Sequence, residues 1–143
     1  MGQPTIEMLS PERVTELWPQ LEPLVVQACA GNEIAEDEMS ANDMYILGIT
    51  GMCAFFVWFD DGVLLGTVVF QFNTTNGRKG ADVIALAGRK LLLFKSLYWN
   101  AILDWLRANE IVFLDAYVPN ERAKMYLNKF GFNKSCSYVR MTL

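Results

Sequence analysis

Carboxylates, tyrosines and a few cations are the side chains of this sequence that could do acid–base chemistry, because it contains no histidine. That absence removes Ser-His and Cys-His pairs and imidazole–metal sites. Asp115 stands inside an apolar segment, where an aspartate needs a polar partner, and Asp82 opens another such segment. Each could act as a base, or could be a polar residue at a strand edge that faces water.

The last quarter of the chain carries polar and small residues at specific spacings, namely Asn120-Glu-Arg-Ala123, Met125-Tyr126, Gly131-Phe132, Tyr138 and Arg140-Met141. Asn120 is a good helix N-cap, and the glutamate after it suits the positive end of a helix. Gly131 fits the residue that follows a helix, with Phe132 as its apolar contact. The segment predicts a capped helix over Asn120–Phe130 and a strand over Ser135–Leu143.

The remaining sequence predicts the elements that must position these residues. Apolar runs of strand length, helical periods and breaks at proline and glycine give their order. They are a strand at Thr5–Leu9, a helix from Ser10 that is interrupted near Pro19 and Pro23 and ends near Gly31, an acidic helix over Glu33–Met44, strands over Ala54–Phe59, Val63–Phe72 and Asp82–Ala87, a helix over Lys90–Asn109, and a strand over Ile111–Val118.

Two loops and one helix face are specified by local sequence. Asp60-Asp61-Gly62 predicts a hairpin, and Asn73–Gly80 predicts an exposed turn. The apolar face of the long helix, which we expect to be buried, comprises Leu91, Phe94, Tyr98, Ala101, Ile102 and Trp105. Antiparallel strands followed by a crossover helix predict one α/β domain of mixed α+β type over residues 1–143, with a mostly antiparallel sheet flanked by helices.

This order of elements resembles the fold of the GCN5-related N-acetyltransferases (GNAT) over nearly the whole chain. Asn120-x-x-Ala123, Gly131-Phe132 and Arg140-Met141 are similar to the closing pattern of that family. The resemblance implies that an acyl-CoA such as acetyl-CoA lies where two parallel strands splay apart, here Asp82–Ala87 and Ile111–Val118. It also implies that a carboxylate or a water takes a proton from an amine and that a tyrosine protonates the leaving thiolate.

The loop that would bind the diphosphate departs from the family pattern, which is Gln/Arg-x-x-Gly-x-Gly/Ala. Counting back along the long helix places this pattern on Lys90–Lys95, where the first cation is kept but Leu93 and Lys95 fill both glycine positions. Glycine lets backbone N–H groups approach phosphate closely, so a leucine there should obstruct them.

Two interpretations of the neighbouring cations stay open. Either a displaced loop uses Arg89 and Lys90 to bind phosphate, or both are solvated charges at a strand-to-helix turn. The resemblance assigns cofactor binding to the strand end, the loop and the motif asparagine, which are Leu86, Ala87, Gly88, Arg89, Lys90 and Asn120.

The tyrosine also departs from the family pattern. The family tyrosine stands seven residues after the motif asparagine, which is Leu127 here, whereas this chain has Tyr126. One residue turns a side chain by about 100° around a helix, so Tyr126 acts as the acid only if the helix is rotated or slipped. Otherwise Tyr126 packs its ring and exposes its hydroxyl. Tyr117 is a further candidate. The catalytic candidates are Tyr126 as acid and Asp115 as base.

Two functions follow. The first is an acyl-CoA-dependent N-acyltransferase acting on a small amine or a protein amine, which the acidic residues between Glu33 and Asp43 would attract. More often such an acidic run is only the solvated face of a surface helix. The second is a pseudoenzyme similar to small GNAT-like proteins of tailed bacteriophages, which would act in virion structure or assembly by contact with a phage or host protein. Exposed aromatics such as Trp18, Trp58 or Trp99 would then mark the contact surface.

Composition excludes several partners. The net charge is −4 and no cluster of lysine and arginine is present, which argues against nucleic acid. The apolar runs hold too many charges and glycines for a membrane span. The cysteines Cys29, Cys53 and Cys136 are far apart and predict reduced, structural thiols rather than a metal site. We therefore expect a cytoplasmic protein, or one in a host cytoplasm or virion if it is phage-encoded.

Overall fold

The computed structural model of the protein describes residues 3–29, 39–118, 120–134, 139, 141 and 143. Its elements are β1 (Pro4–Met8), α1 (Pro11–Cys29), α2 (Ala41–Ile49), β2 (Cys53–Asp60), β3 (Val63–Thr75), β4 (Arg78–Gly88), α3 (Leu91–Phe94), a π-helical segment (Lys95–Trp99), α4 (Asn100–Ala108), β5 (Phe113–Ala116) and α5 (Asn120–Lys129). We call α3, the π-helical segment and α4 together the long helix. The strand predicted over Ser135–Leu143 falls largely outside the described residues and stays a prediction.

The strands form one mixed sheet in the order β1-β2-β3-β4-β5. The first four strands pair antiparallel, whereas β5 pairs parallel to β4 after the crossover through the long helix. One face of the sheet packs against α1 and α2, and the other packs against the long helix and α5. The predicted fold class, a mostly antiparallel sheet flanked by helices with one parallel strand pair, is confirmed.

Two tight hairpins connect the central strands. Asp61 and Gly62 have positive φ angles of 53° and 77°, as predicted for the first hairpin. The exposed turn predicted over Asn73–Gly80 is wrong in extent, because β3 and β4 continue through it and only Asn76-Gly77 turns, with φ of 52° and 74°. Asn-Gly is itself a strong hairpin signal, so the local sequence specifies the observed turn.

The first helix runs without interruption through both of its prolines, in contrast to the predicted break. Pro19 and Pro23 lie four residues apart on the exposed side of α1. Carbonyl groups that lose an N–H partner there can bond to water instead. The buried stripe keeps its helical spacing, with Val14, Leu17, Leu21, Val25 and Cys29 as its members.

The helix α2 overlaps only the end of the acidic helix predicted over Glu33–Met44. Ser40 caps α2 through a capping box with Asp43, in which each side chain accepts a backbone N–H of the other residue. Met39 therefore precedes the helix, which continues past Met44 to Ile49. The predicted part from Glu33 to Glu38 lies outside the described residues.

The long helix packs most of its predicted face against the core. Phe94 and Ile102 are buried, and Leu91, Tyr98 and Trp105 are half-buried against the core, whereas Ala101 is exposed. Trp99 and Leu106, which were not predicted, are also buried. The π-helical segment Lys95–Trp99 accounts for Trp99, since a π turn takes up an extra residue and shifts the most buried position by one residue.

Gly88 closes β4 in a conformation that other residues rarely adopt. Its φ is 137°, and a Cβ there would overlap Gly66 Cα and Leu65 O. We expect Gly88→Ala to destabilise the protein by about 2–4 kcal/mol, from backbone strain together with displacement of β3. Gly62→Ala is the matched control, because its φ is 77° but nothing lies within 4 Å. Denaturant unfolding that gives equal losses for both variants would contradict this.

Candidate functional site

A narrow cleft lies where β4 and β5 part. Their parallel ladder pairs Gly80 to Val83 with Phe113 to Ala116 and ends there. Beyond it a cavity of about 20 Å³ is lined by residues 83–86 of β4, by residues 117–118 and by Ala28, Arg122 and Tyr126. A volume of this size holds about one water molecule. The strands therefore separate at the predicted place, but the opening between them is nearly closed.

A β-bulge at Ile84 bends β4 at the edge of this cleft. Val69 pairs with Ala85 and Phe70 with Val83, so Ile84 is the extra residue. Ile84 and Ala85 both contact the core on the α1 side, whereas Val83 packs on the other face. The bulge therefore falls at the point where β4 leaves β5.

Residues 86–90 lead from β4 into the long helix. Leu86 lines the cavity, and Ala87 is buried opposite Thr67 in the ladder. Arg89 N–H donates to Leu65 O at 2.9 Å, and Arg89 O accepts the Trp58 Nε1–H at 3.0 Å. This part of the backbone is therefore fixed by β2 and β3.

The two cations of this loop differ in their partners. Lys90 Nζ lies 2.7 Å from Asp60 Oδ2 in an ion pair. Arg89 is exposed and makes no ion pair within the described part of the chain. Arg89 is thus the more available cation at the start of the long helix.

The N-terminus of the long helix carries backbone donors without a side-chain cap. Lys90 occupies the N-cap position with a φ of 58°, and Phe94 N–H makes the first bond of the helix, to Lys90 O. The N–H groups of residues 91–93 precede that bond and have no acceptor within the helix. Leu93 is 40% exposed, Phe94 stacks on Trp58, and neither belongs to the cavity lining. The cleft is therefore closed by residues other than these two.

Asp82 and Asp115 lie directly opposite each other on the parallel ladder. Asp82 is half-buried and accepts a hydrogen bond of 2.9 Å from Asn73 Nδ2, whereas Asp115 is exposed. Burial raises the pKa of Asp82, the Asn73 hydrogen bond opposes that shift, and the Asp115 charge adds to it. The structure therefore makes Asp82 the carboxyl with a perturbed pKa, although the sequence favoured Asp115 as the base. The sequence did not indicate Asn73, because its contact with Asp82 follows only from the register of the hairpin.

Tyr126 is 6% exposed, and its ring contacts Phe130 and Phe132. Burial raises the pKa of Tyr126 to about 12, partly offset by the nearby Arg122 charge. Leu127, at the usual tyrosine position of the family, is 39% exposed. Tyr117 is exposed and lines the same cavity as Tyr126. Asn120 begins α5, but its side chain lies outside what the structure describes.

Other chemistries find little support in the described residues. Burial raises the pKa of the Cys53 thiol to about 12, so its thiolate is disfavoured at neutral pH. Within the described ranges no three His, Cys, Asp or Glu side chains are grouped to hold a metal ion. Each helix of these ranges is also too short or too polar to cross a bilayer.

Comparison with solved structures shows that the chain shares its fold with several proteins described as acetyltransferases. No family model and no curated protein matches the chain. A ribosomal-protein-alanine N-acetyltransferase from Brucella melitensis biovar Abortus 2308 superposes with a TM-score of 0.67 at 17% identity, covering 98% of this chain and 99% of that one. An aminoglycoside acetyltransferase from an uncultured soil metagenomic sample, in complex with sisomicin, superposes with a TM-score of 0.71 at 13% identity, covering 98% of this chain and 96% of that one.

A predicted acetyltransferase from Clostridium acetobutylicum, solved with acetyl-CoA, gives a TM-score of 0.68 at 7% identity over 98% of this chain and 96% of that one. At such identities the likeness concerns the fold. The chain has an acetyltransferase-type α/β fold, and in particular the GNAT fold. Nothing in these comparisons supports a bacteriophage origin.

Proposed function

We propose that the protein transfers an acyl group from acyl-CoA to an amine. The observation that carries this proposal is the parting of β4 from β5 at a bulge, next to a helix start with uncapped N–H groups. Backbone donors at a helix N-terminus favour phosphate. The solved structures of the same fold include one with acetyl-CoA and one with the aminoglycoside sisomicin, which supports an amine acceptor.

The start of the long helix would bind the diphosphate. The π-helical segment adds a residue, so counting back from Trp105 through it reaches Arg89 rather than Lys90 as the first cation of the loop pattern. Arg89 is exposed and outside any ion pair of the described residues, and it would contact phosphate together with the N–H groups of residues 91–93. Leu86, Ala87 and Gly88 would flank the pantetheine arm, and Asn120 would contact it from α5.

Two side chains would move protons. Acyl-CoA supplies the thioester whose acyl group is transferred. Asp82, with its raised pKa, would accept a proton from the acceptor amine directly or through a water, which leaves the nitrogen lone pair available. Tyr126 lines the cleft and, with a pKa of about 12, keeps its proton at neutral pH for donation to the departing sulfur. Asp115 would tune Asp82 rather than replace it.

Acetyl-CoA binding tests this function. At a hundredfold excess over its Kd, acetyl-CoA is expected to stabilise the protein by about 2.7 kcal/mol in a thermal-shift titration. Arg89→Gln should weaken binding by about tenfold through the lost phosphate contact. Arg107→Gln, which removes an exposed cation from the last turn of the same helix, should leave binding unchanged. No shift at millimolar acetyl-CoA would overturn the proposal.

One observation favours the alternative of a non-catalytic protein that acts by contact. Leu92, Leu93 and Leu97 are 58%, 40% and 49% exposed near the start of the long helix. Exposed leucines grouped in this way are typical of a partner surface. Trp58 and Trp99, considered above as contact residues, are buried instead. Acetyl transfer by a monodisperse monomer would reject this alternative.

A further inference from the structure

Arg122 joins two helices that belong to different parts of the chain. From the first turn of α5 its Nη1 donates to Ala28 O at 3.2 Å and its Nη2 donates to Gln27 O at 3.1 Å. Both acceptors are in the last turn of α1, where carbonyl groups have no partner within the helix. The last turn of α1 contains no basic residue of its own. Arg122 therefore supplies the cation that caps the negative end of α1.

The two helix ends joined by Arg122 stand on either side of the cleft. Ala28 from α1 and Arg122 and Tyr126 from α5 line the same cavity as residues 83–86 of β4. The cavity of about 20 Å³ is far smaller than the roughly 300–1,000 Å³ of ligand pockets. A pantetheine arm therefore needs α1 and α5 to move apart before it can enter.

The link between the helices is weak enough to be reversible. Arg122 is half-buried and forms no ion pair with any residue that the structure describes. Its two hydrogen bonds are to neutral carbonyls, and one of them is exposed to water. Water can compete for the exposed acceptor, and contacts exposed in this way take part in local opening.

We propose that Arg122 is a latch: it holds the cleft between β4 and β5 closed by tying α5 to the end of α1, and an acyl-CoA enters only when this tie is broken. The identity of the ligand rests on the function proposed above, whereas the latch itself is a property of the chain. The latch is therefore measured by hydrogen exchange without ligand, and the proposed function is measured separately by acetyl-CoA binding.

Hydrogen exchange of the full chain, followed by mass spectrometry, tests the latch. Arg122→Gln removes the charge and the fork of donors, and is expected to raise exchange in the last turn of α1 by about tenfold while β3 keeps its protection. Arg122→Lys should give a smaller rise. Arg107→Gln is the control, since Arg107 is exposed on α4 and bonds only to Asp104 among the described residues. Acetyl-CoA association should become faster in Arg122→Gln, as measured by stopped flow.

The outcomes separate the latch from the proposed function. Unchanged exchange in Arg122→Gln overturns the latch, whatever acetyl-CoA does. Raised exchange with weaker acetyl-CoA binding overturns it too, because Arg122 would then be a ligand of the cofactor. Raised exchange without acetyl-CoA binding in any variant supports the latch and rejects the acyltransferase. If Arg122→Gln does not fold, hydrogen exchange and acetyl-CoA binding are compared between Arg122→Lys and the unchanged protein instead.

Discussion

Asp82→Asn is expected to lower the kcat/KM of acetyl transfer by at least about 100-fold, because a positioned general base contributes about 10²–10⁴ in rate. Asp82 is half-buried beside the point where β4 and β5 part, and burial raises the pKa of its carboxyl. Asparagine keeps the size of the side chain but accepts no proton. Asp115→Asn, one strand away, should retain most of the activity, and equal losses in the two variants would contradict the assignment.

The pH profile gives Asp82 a signature that a structural role would lack. Removing the Asp115 charge makes the ionised Asp82 more favourable, so Asp115→Asn should move the acid limb of kcat/KM to lower pH. Removing the hydrogen bond from Asn73 has the opposite effect, so Asn73→Ala should move the same limb to higher pH. Shifts of the same sign in both variants would reject Asp82 as the titrating group.

Stability provides the control for Asp82→Asn. The folded-state pKa of Asp82 lies above the ordinary value of 3.8, so both folded and unfolded states are neutral well below that pH. As pH rises through the unfolded and then the folded pKa, the carboxyl increasingly disfavours the folded state. Asp82→Asn should thus be at least as stable as the unchanged protein at pH 7, so that unfolding would not explain its lost activity. Denaturant unfolding at pH 3 and pH 7 measures this.

Trp99→Ala is expected to destabilise the protein by about 3–5 kcal/mol, the usual loss for a large aromatic residue in a core. Trp99 is buried, its ring lies near Phe70 and Phe130, and its Nε1–H donates to Phe130 O at 3.2 Å. Tyr98→Ala is the matched comparison and should cost less, since Tyr98 is only half-buried. Unfolding in urea measures both changes.

The pair also tests the π-helical segment. A regular α-helix would direct Tyr98 inward with Phe94, because four residues make about one turn. A larger loss for Tyr98→Ala than for Trp99→Ala would therefore show that the long helix has no extra residue in this turn.

Local signals allowed most of the fold to be predicted. The Asp61-Gly62 turn needs only two residues with positive φ, and the long helix and α5 have apolar periods that can be recognised without tertiary information. The continuity of α1 could not be predicted in this way, because proline is tolerated only where the surrounding structure leaves its side of the helix in water. The π-helical segment likewise depends on the packing of Trp99 between strands and α5.

The candidate site was less predictable because it is assembled from distant residues. Asp82 acquires its perturbed pKa from Asn73 across a hairpin and from Asp115 across a crossover. The contact of Arg122 with Ala28 and Gln27 joins residues that are 94 and 95 positions apart, and no spacing in the sequence indicates it. The one-residue offset of Tyr126, by contrast, was visible in the sequence, and the structure has its ring in the core.

The parallel ladder between β4 and β5 also has a consequence for how the protein is made. It has four residue pairs and closes only after the long helix has crossed over, whereas β2, β3 and β4 are joined by two-residue turns. Contacts between distant residues form slowly because a long loop must be closed first. We therefore expect the hairpins to assemble early during synthesis and the cleft to be completed last. A nascent chain would acquire its antiparallel hairpins before it acquires anything that could bind a substrate.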